Sequence, residues 1–371
     1  MCRWLAYLSN SEPCLLENVL IAPSHSISKQ VHDHYLPKLM HYEPNEDPRA
    51  TEKEIAMRNR LFNVDGFRLA WYTTTRAEYG ECDGPRPAVY RILRQSLTDP
   101  GFQSICAHTS TLTLFALIRA ASGETAITEH NNHPFRFGRW SFMHNGVVAH
   151  FSSIKREICS EISPEAFQLI KGTTDSEHLA ALVFTNLEAQ KGPQAWEHSH
   201  PLNEVKRALE KVISTVLEIQ RRIVPKMGIE LEASSLNVAI TDGTQLLTIR
   251  FRNHPSQHPP SLYFSTTAGI SLNRKYPGHP DRDGDNGVRN LKKAQDHGDH
   301  MIVCSEPTTY KSADWELIEK NECLLVGSDM VVHRTPISVQ FRSRVYRPEL
   351  DSRDTTSTEV QHRGEEILGG F

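Results

Sequence analysis

A series of short apolar runs constrains the fold of this chain more than any other feature. The runs are 236–240, 246–251, 262–264, 301–304 and 323–326. Each is short, and the first two are separated by the turn-forming pair Asp242-Gly243, as expected for antiparallel neighbours. No apolar stretch is long enough to form a transmembrane helix. The chain is therefore predicted to be an α+β protein whose strands pair largely antiparallel.

Two further apolar runs are predicted to be buried strands that end in loops. The run 112–118 is terminated by Arg119, and the run 140–144 stops at Asn145-Gly146. Functional side chains often lie at such strand ends, so these residues are candidates for a site.

Two helices are predicted between these strands and the later series. One follows Thr173-Thr174-Asp175, and the other covers 202–224 with its apolar residues on one face. Both apolar faces are interpreted as core.

Charge and cysteine usage exclude several classes of protein. The net charge is −4 and Lys and Arg are scattered among acids, so no nucleic-acid partner is expected. The first residues are interrupted too early by polar ones to form a signal peptide. Seven cysteines, odd in number and without a C-x-x-C pair, indicate reduced thiols and no zinc ribbon. A cytoplasmic protein without a membrane segment is predicted.

Cys2 is the candidate nucleophile. A thiol near a chain terminus more often packs than reacts, but removal of Met1 would give Cys2 a free α-amino group. The pKa of such a group is normally about 7.7–8.0, so it can serve as the base for the thiol of the same residue.

Asn145 and Gly146 are candidates for the oxyanion hole, because acyl transfer needs hydrogen-bond donors where the carbonyl oxygen becomes negative. An Asn-Gly pair is, on its own, more often a turn. Arg119 and Asp175 could hold the α-carboxylate and α-ammonium groups of a γ-glutamyl substrate. The structural alternatives are an ion pair for Arg119 and a helix cap for Asp175.

In this order, the segments resemble the class II glutamine amidotransferases, which are N-terminal-nucleophile glutaminases. The matching segments are Cys2, Ile118-Arg119-Ala120, Asn132-His133-Pro134, His144-Asn145-Gly146 and Thr174-Asp175-Ser176-Glu177. The resemblance implies that Cys2 is the nucleophile and that Asn145 and Gly146 form the oxyanion hole. It further implies that Arg119 and Asp175 bind substrate, with His133 as a pocket neighbour.

Other segments resemble the amidotransferase-like subunits of fungal Dug glutathione-degradation complexes more narrowly. They are 1–4, 31–35, 63–66, 131–135, 276–280 and 305–307. This resemblance implies a four-layer αββα sandwich of the N-terminal-nucleophile hydrolase type, no cofactor and no metal, a γ-glutamyl substrate such as glutathione, and a metallopeptidase-like partner subunit. The amidotransferase-like domain is predicted to span 1–335 with a long surface loop near 271–300. Residues 336–371 are predicted to form a polar, disordered tail.

Two positions depart from the pattern of these families. Arg68 follows Asp65-Gly66-Phe67 where glycine is usual, and Leu117 stands where relatives often carry histidine. Both flank strands expected near the pocket, so they bear on substrate choice and activity.

Hydrolysis is favoured over amide transfer, since the stretch after Val326 is too short and polar for a synthase domain. Alternatives are a glutaminase that donates ammonia to a separate synthase and an inactive paralogue acting as a scaffold or regulator. The leaving amine could be ammonia, cysteinylglycine or a specialised thiol metabolite. The segment 281–287 resembles the start of an EF-hand, but Asn286 and Lys292 replace the required Gly and Glu, so no calcium site is expected.

Overall fold

The structure is a computed structural model that describes residues 2–23, 25–30, 65–93, 95–119, 126–192, 194–275, 293–309 and 311–339. Met1, the segments 31–35, 63–64 and 276–280, the EF-hand-like stretch and the tail from 340 onward lie outside the described residues. So does most of the predicted loop near 271–300.

Fifteen strands and eight α-helices are found in the described ranges. The strands are β1 (Arg3–Ser9), β2 (Cys14–Leu15), β3 (Gly66–Thr73), β4 (Arg86–Ile92), β5 (Ser110–Thr111), β6 (Thr113–Arg119), β7 (Phe135–Phe137), β8 (Trp140–Val147), β9 (Ser235–Thr241), β10 (Leu246–Arg252), β11 (Tyr263–Ser265), β12 (His300–Cys304), β13 (Glu316–Leu317), β14 (Glu322–Val326) and β15 (Val332–Pro336). The helices are α1 (Leu16–Leu20), α2 (Thr75–Glu78), α3 (Pro100–His108), α4 (Phe151–Ser160), α5 (Pro164–Leu169), α6 (Asp175–Lys191), α7 (Leu202–Ile223) and α8 (Gly269–Leu272).

Two antiparallel sheets organise these strands. The first has the order β13-β11-β12-β1-β6-β3-β4, and the second has the order β15-β14-β10-β9-β8-β7. Strands β2 and β5 pair separately. Every predicted strand and both predicted helices are present, and the strand bounds agree to within one residue except at β8. That strand continues through Asn145-Gly146 to Val147, whereas the run was predicted to stop at residue 144. The strands that were not predicted include β1, β3 and β4, which are three of the seven strands of the first sheet.

The two faces of β1 show how the layers stack. Trp4, Ala6 and Leu8 belong to a core between the two sheets, whereas Leu5 and Tyr7 pack in a second core with α1 and α3. Such alternation follows from the two-residue period of a strand.

The second sheet buries its other face under helices α4, α6 and α7. Val205, Leu209 and Val212 of α7 share a core with Phe142 of β8 and Val238 of β9. The layers therefore run helix, sheet, sheet, helix, and the predicted α+β four-layer αββα sandwich is confirmed.

The last described strand, β15, ends at Pro336, and the first compact unit of the chain spans Met1–Val339. No helix in the described ranges combines the length and the apolar character needed to cross a bilayer.

Candidate active site

The candidate site lies where three neighbouring strands of the first sheet end. Arg3 of β1 pairs with Ile118 of β6, and Gly66 of β3 pairs with Arg119 of β6. One step beyond the first pair, Cys2 comes next to Arg119. Because side chains alternate along a strand, Cys2 and Arg119 share the face of Trp4 and Leu117, which points toward the second sheet. The predicted nucleophile and the predicted guanidinium therefore lie at one mouth of the space between the sheets.

A cavity joins Cys2 to Asn145 of the second sheet. Its empty volume, including space open to solvent, is about 250 Å³. It is lined by Cys2, Arg3, Asn145, Pro260, Ser261, Ser305 and Glu306. Asn145 is buried on the same face of β8 as Met143, which belongs to the core between the sheets. A thiol and a side-chain amide thus meet in one recess, as acyl transfer requires.

The Asn145-Gly146 pair lies inside strand β8 and not in a hairpin turn. Asn145 pairs with Asn237 of β9, and Gly146 pairs with Leu236. Gly146 has φ +155°, and a Cβ at this position would lie 1.9 Å from the carbonyl oxygen of Ser235. Only glycine fits, so the turn alternative does not explain this pair.

Arg119 is buried to 4% exposure at the end of β6. Its carbonyl oxygen accepts a hydrogen bond from the backbone N–H of Asp65 at 2.9 Å. Burial lowers the pKa of the guanidinium, an effect opposed by Cys2 and Asp65. Its Nη1 atom is buried and has no hydrogen-bond partner among the described residues. A buried guanidinium with an unused donor is suited to an anionic ligand.

Asp175 begins helix α6 but does not cap it. The cap is Thr174, whose Oγ1 accepts from the N–H of Glu177 at 3.3 Å. Asp175 Oδ2 instead accepts from the N–H of Val148 at 2.9 Å, and Oδ1 accepts from the N–H of Ser176 at 2.7 Å. The carboxylate therefore ties the start of α6 to the end of β8, close to Gly146.

His144 adds a second tie between the same two elements. Its Nδ1 lies 2.8 Å from Ser176 Oγ, which also lies 3.1 Å from Asp175 Oδ1. Burial lowers the pKa of His144, while Asp175 and a hydrogen bond to the Ser235 carbonyl oxygen oppose this effect. His144 faces the helices, whereas the next residue, Asn145, faces Cys2.

His133 is buried, and Arg119 is near enough to affect its pKa. Its ring packs edge to face against Phe135 with centroids 4.6 Å apart, and the His144 ring lies at 6.5 Å. Burial holds its pKa well below the usual range, and His144, Arg68 and Arg119 add to this effect. The ring is therefore neutral, and neither nitrogen has a hydrogen-bond partner within the described ranges.

Asn132 lies over Gly66, and Gly66 is the residue of β3 that pairs with Arg119. A Cβ at Gly66 would lie 2.2 Å from Asn132 Nδ2, so the glycine makes room for this amide. Asn132 has no exposed surface, and neither side-chain polar atom has a partner in the part of the chain that the structure describes. Asn132 therefore adds an unused donor and an unused acceptor to the unused polar atoms of Arg119 and His133.

The two departures from the family pattern are direct neighbours, because Arg68 of β3 pairs with Leu117 of β6. Arg68 is 2% exposed, and its Nη1 donates to the carbonyl oxygen of Asn132. Burial and Arg91 hold its pKa well below the ordinary value, and Glu177 opposes them. Arg68 therefore supports the Asn132-His133 segment and leaves the Cys2 cavity open.

Several site residues received no role in the sequence analysis. Asn132 and Glu306 lie in motifs that were recognised, but nothing local distinguished their side chains from their neighbours. Ser176 likewise lies in a recognised motif, whereas Ser261 lies in none. No group of three or more His, Cys, Asp or Glu side chains capable of holding a metal occurs in the described ranges.

The chain is similar to glutamine amidotransferases in sequence and in fold. No family model matches the chain. The probable glutamine amidotransferase DUG3 of Saccharomyces cerevisiae is 27% identical over 335 residues, which are 90% of this chain and 83% of that protein. A glutamine aminotransferase class-II domain protein from Silicibacter pomeroyi has a TM-score of 0.54 at 19% identity, covering 90% of this chain and 98% of its own. The predicted resemblance to class II glutamine amidotransferases is confirmed, and the structural likeness establishes the shared fold.

Proposed function

We propose that this protein is a glutaminase-type enzyme that hydrolyses a γ-glutamyl amide bond, with Cys2 as the nucleophile. The observation that carries the proposal is the cavity shared by Cys2 and Asn145, with Arg119 next to Cys2 in the sheet. The similarity to a probable glutamine amidotransferase supports the same class of reaction.

In the proposed reaction, the Cys2 α-amino group takes the thiol proton and the sulfur attacks the side-chain carbonyl carbon. The carbonyl oxygen becomes negative and is stabilised by the Asn145 amide and the Gly146 N–H. The C–N bond then breaks, and the protonated α-amino group of Cys2 returns the proton to the departing amine. A glutamyl thioester of Cys2 remains. Water, deprotonated by the same amino group, then cleaves the thioester to release glutamate and the Cys2 thiol.

The glutamyl end is proposed to bind on the Arg119 side. Arg119 offers an unused, buried N–H for the α-carboxylate. Asp175 is proposed as the partner of the α-ammonium group, and His133 as a neutral pocket neighbour. Because the recognised groups belong to glutamate, glutamine, glutathione and related γ-glutamyl compounds are candidate substrates.

A partner subunit and a cellular location are also proposed for this protein. A metallopeptidase-like partner subunit is proposed on that basis. All seven cysteines are free in the structure, which fits the proposed cytoplasmic location.

Incubation of the purified protein with a panel of γ-glutamyl compounds tests the proposal, with glutamate release as the readout. We expect turnover by the wild type and none by Cys2→Ala. Cys82→Ala removes a partly exposed thiol elsewhere and is the matched control, which should keep full turnover. If Cys2→Ala released glutamate as fast as the wild type, the proposal would be wrong.

A further inference from the structure

Asn132 takes the place of a missing side chain in the row of residues that carries Cys2. Across strands β1, β6 and β3 this row consists of Cys2, Arg119 and Gly66, on the face toward the second sheet. A Cβ at Gly66 would lie 2.2 Å from Asn132 Nδ2 and 3.1 Å from its Cγ. Residues paired in an antiparallel sheet have Cβ atoms about 4.5–5.5 Å apart. The amide therefore fills the position directly across from Arg119.

Asn132 differs from its neighbour Asn131, whose side-chain oxygen and nitrogen are both paired. Asn131 Oδ1 accepts from the N–H of Thr173 at 2.7 Å, and its Nδ2 donates to the carbonyl oxygen of Ala126 at 2.8 Å. Both polar atoms of the Asn132 amide lack a hydrogen-bond partner in the ranges that the structure covers, although Asn132 has no exposed surface. An unpaired buried amide destabilises a fold, so its presence indicates a role other than stability.

The backbone of Asn132 is held so that its amide stays in this position. Its carbonyl oxygen accepts from Arg68 Nη1, and its N–H donates to the carbonyl oxygen of Glu129 at 3.3 Å. Arg68 belongs to β3, two residues after Gly66 and on the same face. A side chain that is held in this way loses little conformational entropy when a ligand binds.

The charge around the Asn132 amide favours an anionic group of the ligand. Arg119 lies directly across the sheet from it, and Arg119 Nη1 has no partner among the residues described. Burial lowers the pKa of His133, and the charges of Arg68 and Arg119 are among those that lower it further. Glu177 acts against Arg68, but its carboxylate already accepts from two backbone N–H groups at 3.0 and 2.6 Å. A carboxylate of the ligand can accept from both unpaired donors.

The length of a γ-glutamyl group fits this row. Four carbon–carbon bonds separate its side-chain carbonyl carbon from its α-carboxylate carbon, a span of about 5 Å when extended. Neighbouring strands of a sheet lie about 4.8 Å apart. With the carbonyl carbon at Cys2, the α-carboxylate therefore lies over Arg119, one strand away. The next position along the row is the one that Asn132 fills, on the side of the carboxylate opposite Cys2.

We propose that Asn132 is a specificity-determining residue that binds the α-carboxylate of the γ-glutamyl group, with Asn132 Nδ2 donating to it alongside Arg119 Nη1. The inference rests on the proposed γ-glutamyl hydrolysis and adds a residue that recognises the substrate. The α-ammonium group is bonded to the same carbon as the carboxylate and donates to Asn132 Oδ1. A ligand with both groups thereby pairs both polar atoms of the amide.

A matched pair of ligands tests this role without turnover. L-Glutamine and L-glutaminamide differ in an α-carboxylate against a neutral amide, and calorimetry on the Cys2→Ala protein gives their dissociation constants. We expect this protein to favour glutamine. Adding Asn132→Ala should weaken glutamine binding on the order of tenfold and glutaminamide binding less, because a hydrogen bond to a charged group contributes more than one to a neutral group.

Two further variants in the same background separate charge from folding. Asn132→Asp keeps the size of the side chain and replaces a donor with a carboxylate, which repels the α-carboxylate and accepts from glutaminamide. The ratio of the two dissociation constants should shift toward glutaminamide on the order of tenfold or more. Asn18→Ala is the control, because Asn18 is also buried and its Oδ1 has no partner in the described part of the chain, but it lies in α1, which packs on the other face of the first sheet. It should leave both dissociation constants unchanged.

Thermal unfolding shows whether Asn132 has only a structural role. Asn131→Ala removes two hydrogen bonds and Asn132→Ala removes none, so the melting temperature should fall further in Asn131→Ala. In proteins that retain Cys2, kcat/KM for hydrolysis of glutamine and glutaminamide should change as the affinities do. Unchanged glutamine affinity and kcat/KM in folded Asn132→Ala, or equal weakening for both ligands, would overturn the role of Asn132 and leave the proposed hydrolysis intact. Failure of the wild type to cleave any γ-glutamyl compound would instead contradict the proposed function.

Discussion

Ser176 Oγ lies 2.8 Å from His144 Nδ1, and this contact joins the helix that begins with Asp175 to the strand that carries Asn145. The proposed clamp for the substrate ammonium group and the proposed oxyanion donor are therefore held in one hydrogen-bonded unit. Ser176 is 5% exposed, so its partners would be left buried and unsatisfied if it were removed.

We therefore expect Ser176→Ala to impair both binding and chemistry. KM for γ-glutamyl substrates should rise and kcat should fall, together lowering kcat/KM on the order of tenfold or more. Ser163→Ala is the control, because Ser163 caps α5 and contacts Glu188 in the helical layer. A loss of thermal stability in both variants with kcat/KM unchanged in Ser176→Ala would show that the contact is only structural.

Removal of Met1 should be complete in active protein, since the proposed base is the α-amino group of Cys2. Intact-mass spectrometry of active material checks this directly. The Cys2→Ala variant, purified in the same way, should lose turnover. It should still bind substrate with nearly wild-type affinity in calorimetry, because Arg119 and Asp175 are unchanged. Fully active protein that retains Met1 contradicts the mechanism.

Asn145→Ala should lower kcat by on the order of a hundredfold or more, equivalent to about 3 kcal/mol of transition-state stabilisation, with a smaller change in KM. Gly146→Ala should instead fail to fold normally, because its Cβ would meet the Ser235 carbonyl oxygen. Steady-state kinetics normalised to folded protein separates the two outcomes. An unchanged kcat in folded Asn145→Ala would show that Asn145 does not stabilise the oxyanion.

Arg119→Lys should raise KM for every γ-glutamyl substrate alike, since a point charge cannot reproduce the planar fork of a guanidinium. Asp175→Asn should have the same effect through the α-ammonium group. The ranking of leaving groups should stay as in the wild type for both variants. A changed ranking of leaving groups with unchanged KM for glutamine and glutathione would show that these residues do not bind the glutamyl end of the substrate.

Acid should destabilise the fold below neutral pH through buried histidines. Burial lowers the pKa of His25 to about 4, against the opposing hydrogen bond to the Pro307 carbonyl oxygen, and it lowers those of His133 and His144 as well. The unfolded chain binds protons at these sites below about pH 6.5, whereas the folded chain does not. The stability present above pH 6.5 is therefore lost as the pH falls toward 4, and His25 alone accounts for about 3 kcal/mol of this loss.

Urea unfolding between pH 7 and 4 checks this expectation. His25→Gln should flatten the dependence of the unfolding free energy on pH in this window. His333→Gln changes an exposed histidine and should leave the dependence as in the wild type. An identical slope in His25→Gln and the wild type would contradict the assignment.

Local patterns were sufficient for much of the fold. The runs that became β6, β8, β9 and β10 contain enough apolar residues to identify a strand without knowledge of its partner. Helix α7 carries its core face in a regular repeat. Strands β3 and β4 were missed because their sequences include polar or charged residues such as Arg68 and Arg91, whose burial depends on neighbours distant in the chain.

The sequence by itself determined which residues could carry the chemistry: a cysteine behind the initiator methionine, an arginine at a strand end, and the Asn-Gly and Asp-containing motifs, because these side chains have intrinsic reactivity or charge. Only the tertiary structure decided that Cys2 and Asn145 share a cavity, that Asn132 lies over Gly66, and that Glu306 faces the side of Cys2 opposite Arg119. These relationships depend on strand register and on the packing of two sheets. A shift of one residue in register would turn each side chain to the other face, and no local pattern specifies that register across the chain.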